Sequence, residues 1–284
     1  SLDPHLCRRL VITLKSGFKE RSVCKLSGNR GLVSNQLSRE RGNLGFVAKE
    51  MKRLMGRAIH RKEMISDGDH LMVAVSGGKD SLALLWLLRE RIRRIPIDYT
   101  MTAVHVDPGF GADSAGQMAA FFQDQGFDCR IIKSNIGPQA HGPENRENPC
   151  FLCARLRRKM LFQLADEMGC TRIAFGHHKD DIIETFFLNV FYGASISTMQ
   201  PVQSLFDGKL TVIRPLYLID EDLIRRYVNT MGWERIDLGC PSAGSSKREA
   251  IRNMLKGFYR SNRKVKGNIF HALQNVNPEY LLQS

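Results

Sequence analysis

The sequence has no uninterrupted run of about 18 apolar residues, the length a membrane-spanning helix needs. Its most apolar stretch, Leu82 to Leu88, ends at Arg89 and Glu90. No membrane association is expected. No secretory leader is expected either, because Arg8 and Arg9 precede only the short run Leu10 to Leu14. The 7 cysteines are odd in number and irregular in spacing, unlike the framework of a disulfide-stapled secreted fold. A cytoplasmic location is the expectation. Acidic residues are the minority charge: 29 Asp and Glu stand against 42 Lys and Arg, for a net +13. Such a field attracts polyanions and makes nucleic acid a leading partner, although a merely solvated basic surface would have the same composition. What the chain does have is enough apolar content, 43% of 284 residues, to bury a sizeable core.

No internal repeat is detectable, so the organisation has to be read from local periodicity. Residues 1–45 are basic and rich in Ser, Gly and Asn, which predicts an irregular extension without a catalytic role. From Phe46 to Ile65, Val47, Met51, Leu54, Met55, Ala58 and Ile59 recur at helical spacing opposite a basic face. Strands are expected at Leu71 to Val75, Tyr99 to Val106, Cys129 to Lys133, Arg172 to Gly176 and Leu210 to Ile213. Helices are expected at Leu82 to Arg93, Ser114 to Gln125, Cys153 to Met168, Asp180 to Tyr192 and Glu221 to Met231. The basic segment Lys247 to Lys266 reads as a further helix and tail. Strand–helix alternation predicts an α/β fold, a mainly parallel sheet with helices on both faces and ligands outside the carboxyl ends of its strands. Residues 46–245 would form the catalytic domain, and 246–284 a basic C-terminal helix and tail.

After the first strand stands Ser76-Gly77-Gly78-Lys79-Asp80-Ser81, opening a helix. Glycines there expose backbone N–H groups, and the helix N-terminus aims positive potential at a phosphate. The glycine spacing is wrong for a Walker A loop, and Asp80 follows the lysine where Ser or Thr should stand. It is no dinucleotide fingerprint either. A second segment, Gly176-His177-His178-Lys179-Asp180-Asp181, follows the fourth strand and opens a helix. Adjacent carboxylates in a first turn can hold Mg²⁺ against phosphates, or simply cap the helix and answer its dipole. Cys150 and Cys153 have metal-ligand spacing at a helix start, and Cys240 in a later Gly-rich loop offers a third sulfur. With His141, the same cysteines could instead hold a structural zinc ion.

The hexapeptide resembles the signature of the PP-loop ATP pyrophosphatases. That resemblance implies that Ser76, Gly77, Gly78, Lys79, Asp80 and Ser81 hold the pyrophosphate of ATP, and that Val106 meets adenine through its backbone. Together with Pro149-Cys150-x-x-Cys153, Gly176 to Asp181, Met199-Gln200-Pro201, Arg214-Pro215-Leu216 and Cys240, the chain resembles the tRNA 2-thiocytidine synthetase family over residues 50–260. The resemblance implies a 4Fe-4S cluster on Cys150, Cys153 and Cys240, and beside it the adjacent carboxylates of Asp180 and Asp181 are the expected Mg²⁺ ligands. It further implies catalytic roles for Lys79, Asp80, Asp180 and Asp181, with Gly176 at the nucleotide. Cys7, Cys24, Cys129 and Cys170 match no family ligand and are expected in the arm or core. The implied partners are tRNA and a sulfur donor such as a cysteine desulfurase, with a homodimer allowed. Arg155, Arg157, Arg158 and Lys159 are candidate tRNA phosphate contacts. A tRNA 2-thiouridine synthetase and a zinc-stabilised RNA-binding protein are the alternatives.

Overall fold

The structure, a computed structural model, describes residues 45–282 other than 112, 234, 235, 243 and 245. The expected arm, apart from Gly45, lies outside the described residues, as do Cys7 and Cys24. In chain order the helices are α1 (Phe46–Arg61), α2 (Lys79–Ile92), α3 (Ser114–Gln125), α4 (Ile136–His141), α5 (Pro149–Glu167), α6 (Lys179–Gly193), α7 (Glu221–Met231), α8 (Lys247–Ser261) and α9 (Val265–Ala272). Two compact units result: one takes residues up to His178 together with Gln200–Ser242, the other Lys179–Met199 together with the described residues beyond Ser242.

The larger unit is built on a sheet of six strands. Strands β1 (His70–Ala74), β2 (Thr100–Asp107), β3 (Cys129–Lys133), β4 (Arg172–Ala174) and β6 (Leu210–Ile213) are parallel to their neighbours, while β5 (Val202–Leu205) pairs antiparallel with β6. The order is β3-β2-β1-β4-β6-β5. Leu71, Met72 and Val73 of β1 are all buried, the continuous apolar run of a strand covered on both faces. On one face Met72, Val104, Ile173 and Val212 pack with Leu161, Leu164 and Ala165 of α5.

Most expected elements are present, with three differences. Strand β5 is additional; it returns to β6 through Phe206 and Asp207, which take left-handed φ of 54° and 55°. Helix α5 begins at Pro149, not at Cys153, because the Asn148 side chain caps it by accepting from the Phe151 N–H and proline suits the first helical position. Both cysteines of the C-x-x-C pair therefore lie inside the helix. The short helix α4 (Ile136–His141) is also additional, and Cys240 follows helix α7.

In the smaller unit α6 packs with α8 and α9. Glu184 is buried there and accepts from Arg252 Nε at 2.8 Å and from Arg248 Nη1 at 3.3 Å. A buried carboxylate is tolerable only when paired in this way, and removing its partners typically costs about 3–5 kcal/mol.

Candidate active site

The strand order places a topological switch between β1 and β4. From β1 the chain proceeds through β2 to β3 on one side and then crosses to β4 on the other. Connections leave these strands in opposite directions, so a crevice opens outside their carboxyl ends. Ser76–Ser81 leaves β1 at that edge, and Phe175–His178 leaves β4 beside it.

Ser81 braces the loop from inside. Its Oγ accepts from the Ser76 N–H at 3.1 Å and donates to the Gly78 carbonyl at 2.8 Å. Gly77 has φ +83°, and a Cβ there would stand 3.1 Å from Ile236 Cβ, so only glycine fits without strain. Gly78 ends the loop in an extended conformation and α2 starts at Lys79, its N-terminus facing the crevice. Lys79 Nζ lies 2.8 Å from Glu221 Oε1 of α7 and 3.3 Å from Asp80 Oδ2. Burial works against the Lys79 charge, but Asp80 and Glu221 outweigh it and raise its pKa. Glu221 escaped the sequence reading because no local pattern links it to a lysine 142 positions earlier.

Gly176 touches the same loop: a Cβ on it would stand 3.0 Å from the Asp80 carbonyl and the Ser81 nitrogen. The buried His178 ring approaches Asp80, with Nε2 to Oδ1 at 3.7 Å. His177 Nδ1 accepts from Arg214 Nε at 3.3 Å, and Arg214 Nη1 donates to the Gln200 carbonyl. Val106 has its side chain in the core, leaving its backbone as the part that could meet a ligand. Asp180 and Asp181 occupy the first turn of α6, in the smaller unit. Asp180 Oδ1 accepts from Lys266 Nζ at 2.5 Å, and Asp181 Oδ1 lies 3.5 Å from Arg248 Nη1.

The three candidate cluster cysteines all belong to the larger unit. The Cys153 thiol is pushed up by burial, opposed by the Arg157 guanidinium, which donates a hydrogen bond to it; Cys240 and Cys150 are near enough to raise it further. The segment carrying Cys240 is tied to the crevice at both ends: the Ile236 N–H donates to the Gly77 carbonyl at 3.2 Å, and Ser242 Oγ lies 2.7 Å from His141 Nε2. Cys129 and Cys170 are buried elsewhere in the sheet unit. The other ring nitrogen of His141, Nδ1, lies 3.0 Å from the Gly137 carbonyl. Among the described residues no three His, Cys, Asp or Glu side chains converge as they would around one ion. Thiolates on a single zinc stand about 3.8 Å apart, as Zn–S bonds of about 2.3 Å in a tetrahedron require. Thiolates that each bind a different iron of a cluster are spaced more widely. Three cysteine sulfurs are donors of the kind that an iron–sulfur cluster takes.

Residues 47–256 match the PP-loop domain family. The tRNA-cytidine(32) 2-sulfurtransferase of Alkalilimnicola ehrlichii is 38% identical over 258 residues, covering 89% of this chain and 79% of the relative. That of Syntrophotalea carbinolica is 36% identical, covering 83% and 92%. The chain belongs to the PP-loop family of tRNA-cytidine 2-sulfurtransferases.

Its fold is shared with a solved U34-tRNA thiolase from Methanococcus maripaludis described with its 4Fe-4S cluster, at TM-score 0.68 and 23% identity over 81% of each chain. In the terms of this family, the larger unit alone holds the PP-loop, Gly176 and all three candidate cluster cysteines. Among the described residues no helix is long and apolar enough to cross a membrane.

Proposed function

We propose that this chain uses ATP to adenylate the C2 carbonyl of a tRNA cytidine and replaces that oxygen with sulfur, from a donor such as a cysteine desulfurase. One observation supports the reading: the segment that carries Cys240 is hydrogen-bonded to the PP-loop, the Ile236 N–H donating to the Gly77 carbonyl at 3.2 Å. In the first step the carbonyl oxygen forms a bond to the α-phosphorus of ATP, and the bond to the bridging oxygen breaks. Backbone N–H groups of Gly77 to Ser81 and the Lys79 ammonium take up the charge of the departing pyrophosphate. In the second step a carbon–sulfur bond forms, and the carbon–oxygen bond breaks with AMP as leaving group.

Cys150, Cys153 and Cys240 would hold a 4Fe-4S cluster. When bound, a cluster with only three protein thiolates supplies an iron with an open position for sulfur. Asp180 and Asp181 would hold Mg²⁺, exchanging their present cationic partners for the metal. Val106 would meet adenine through its backbone. Residues 46–245 would form the catalytic domain and 246–284 a basic C-terminal helix and tail, with the cytoplasm as the location.

Mass spectrometry of tRNA nucleosides from cells with and without the gene tests the reading. Loss of 2-thiocytidine is expected; intact 2-thiocytidine with loss of a thiouridine would move the substrate to uridine, and no change in any thionucleoside would overturn the proposal.

A further inference from the structure

The short helix α4 meets both segments that carry the candidate cluster cysteines. It is first seated on the sheet: the Gly137 N–H donates to the Pro108 carbonyl at 2.7 Å, just after the Ser134 N–H has bonded the Asp107 carbonyl at 3.0 Å. A Cβ on Gly137 would stand 2.6 Å from the Phe110 ring, so glycine lets the loop after β2 lie against the helix. The same Phe110 ring meets His141 edge-on, with centroids 5.2 Å apart. On its apolar side α4 packs against α5, and its buried Ile136 and Ala140 belong to the same core cluster as Cys153, Leu161 and Leu164 of that helix. The C-x-x-C helix and α4 are thus one packed pair.

His141, the last residue of α4, faces the other segment. Its Nδ1 lies 3.0 Å from the Gly137 carbonyl, one helical turn back. A carbonyl only accepts, so the neutral ring carries its proton on Nδ1 and keeps Nε2 as an acceptor. The Ser242 hydroxyl donates to that nitrogen at 2.7 Å, across 101 positions of sequence. Ser242 follows Cys240 by two residues, a reach of about 7 Å at most. On the other side of Cys240, the Ile236 N–H is bonded to the Gly77 carbonyl at 3.2 Å. A fixed point on each side limits where the Cys240 thiol can go.

Ligands drawn from distant segments bind well only when they are held in place beforehand, because ordering them on binding costs conformational entropy. We propose that α4 is the brace between the C-x-x-C helix and Cys240, with His141 as its positioning residue: through Ser242 it holds Cys240 at the spacing from Cys150 and Cys153 that a cluster requires. The inference rests on the assignment of the cluster to these three cysteines. It also separates two roles for His141. A metal-ligating Nε2 would have to give up the Ser242 hydroxyl, whereas a brace depends on keeping it.

The test uses the full chain, loaded with its cluster anaerobically, and follows the rate at which excess EDTA removes the visible absorption, together with iron content and melting temperature. Ser242→Ala and His141→Ala should each release the cluster roughly three- to tenfold faster than wild type, the range expected for one neutral hydrogen bond. The double variant should be no faster than either single one, since both remove the same bond. His141→Gln, whose amide oxygen can accept from Ser242, should restore most of the wild-type rate. The control is Tyr99→Phe, which removes a hydroxyl that donates to the Leu88 carbonyl at 2.7 Å, ahead of β2 at the opposite end of the sheet. It should lower the melting temperature and leave the release rate unchanged. Wild-type release in both Ser242→Ala and His141→Ala, or an acceleration equalled by Tyr99→Phe, would overturn the brace. Fast release in both His141 variants with unchanged release in Ser242→Ala would make His141 a ligand and overturn it equally. Cys240→Ala, measured alongside, separates the two levels: if it keeps its cluster, the ligand assignment falls and the brace with it, whereas cluster loss there beside normal release in the other variants sinks the brace alone.

Discussion

Gly176 lies against the peptide between Asp80 and Ser81 so closely that a Cβ on it would stand 3.0 Å from backbone atoms of that peptide. Backbone cannot swing aside as a side-chain tip can. Gly176→Ala should therefore displace the start of α2 and cost about 1–3 kcal/mol, as overpacking generally does. Pyrophosphate release should fall at least tenfold while the visible absorption of the cluster persists. A variant with wild-type melting temperature and turnover would show that the loop does not depend on this contact.

Lys79→Ala should abolish ATP-dependent thiolation and leave the iron content unchanged, since Lys79 acts on phosphate and not on sulfur. Glu221→Gln should weaken ATP use less, because Asp80 remains beside the ammonium. The pH dependence has a definite sign. A raised lysine pKa means that the charged form is fully present below the ordinary value near 10.4 and is lost only as pH rises through the higher folded value. The rate should thus show no alkaline loss attributable to Lys79 below about pH 10.

Asp181→Asn separates metal binding from helix capping. It should raise the Mg²⁺ concentration needed for half-maximal turnover about tenfold or more while lowering the melting temperature by only a few degrees, in line with a cap or dipole contribution near 1 kcal/mol. Parallel losses of stability and rate, with unchanged Mg²⁺ dependence, would assign Asp181 to capping and to its contact with Arg248.

Cys240→Ala should leave two thiolates, lose most of the iron and sulfide, and abolish sulfur transfer without loss of ATP binding. Cys170→Ala is the matched control. Burial pushes the Cys170 thiol up to about 11, so it stays protonated at neutral pH, and iodoacetamide should leave it unmodified in the native protein at pH 8. Undiminished cluster content in Cys240→Ala would remove Cys240 from the ligand set.

Much of the fold was legible because its signals are local. The buried run at Leu71 to Val73, the glycine loop after it, and Gly126 stopping α3 at φ 64° each express a preference of a few neighbouring residues. Strand β5 was not legible: Val202 to Leu205 carries no strong alternation of its own and is a strand because β6 offers it an edge. The helix start at Pro149 is also encoded locally, in the Asn148 cap and in the proline at the first helical position, although the C-x-x-C pair resembles a loop feature that precedes a helix.

By itself the sequence determined the chemistry that could occur: a phosphate loop that is not a Walker A, a C-x-x-C pair, a distant third cysteine, and an excess of positive charge. Tertiary structure decided which of these groups meet. Glu221 reaches Lys79, and the segment carrying Cys240 returns to the PP-loop through Ile236. Neither of those relations has a period or a spacing, because each is made by chain segments that only the crossover from β3 to β4 and the return after α7 bring to one edge.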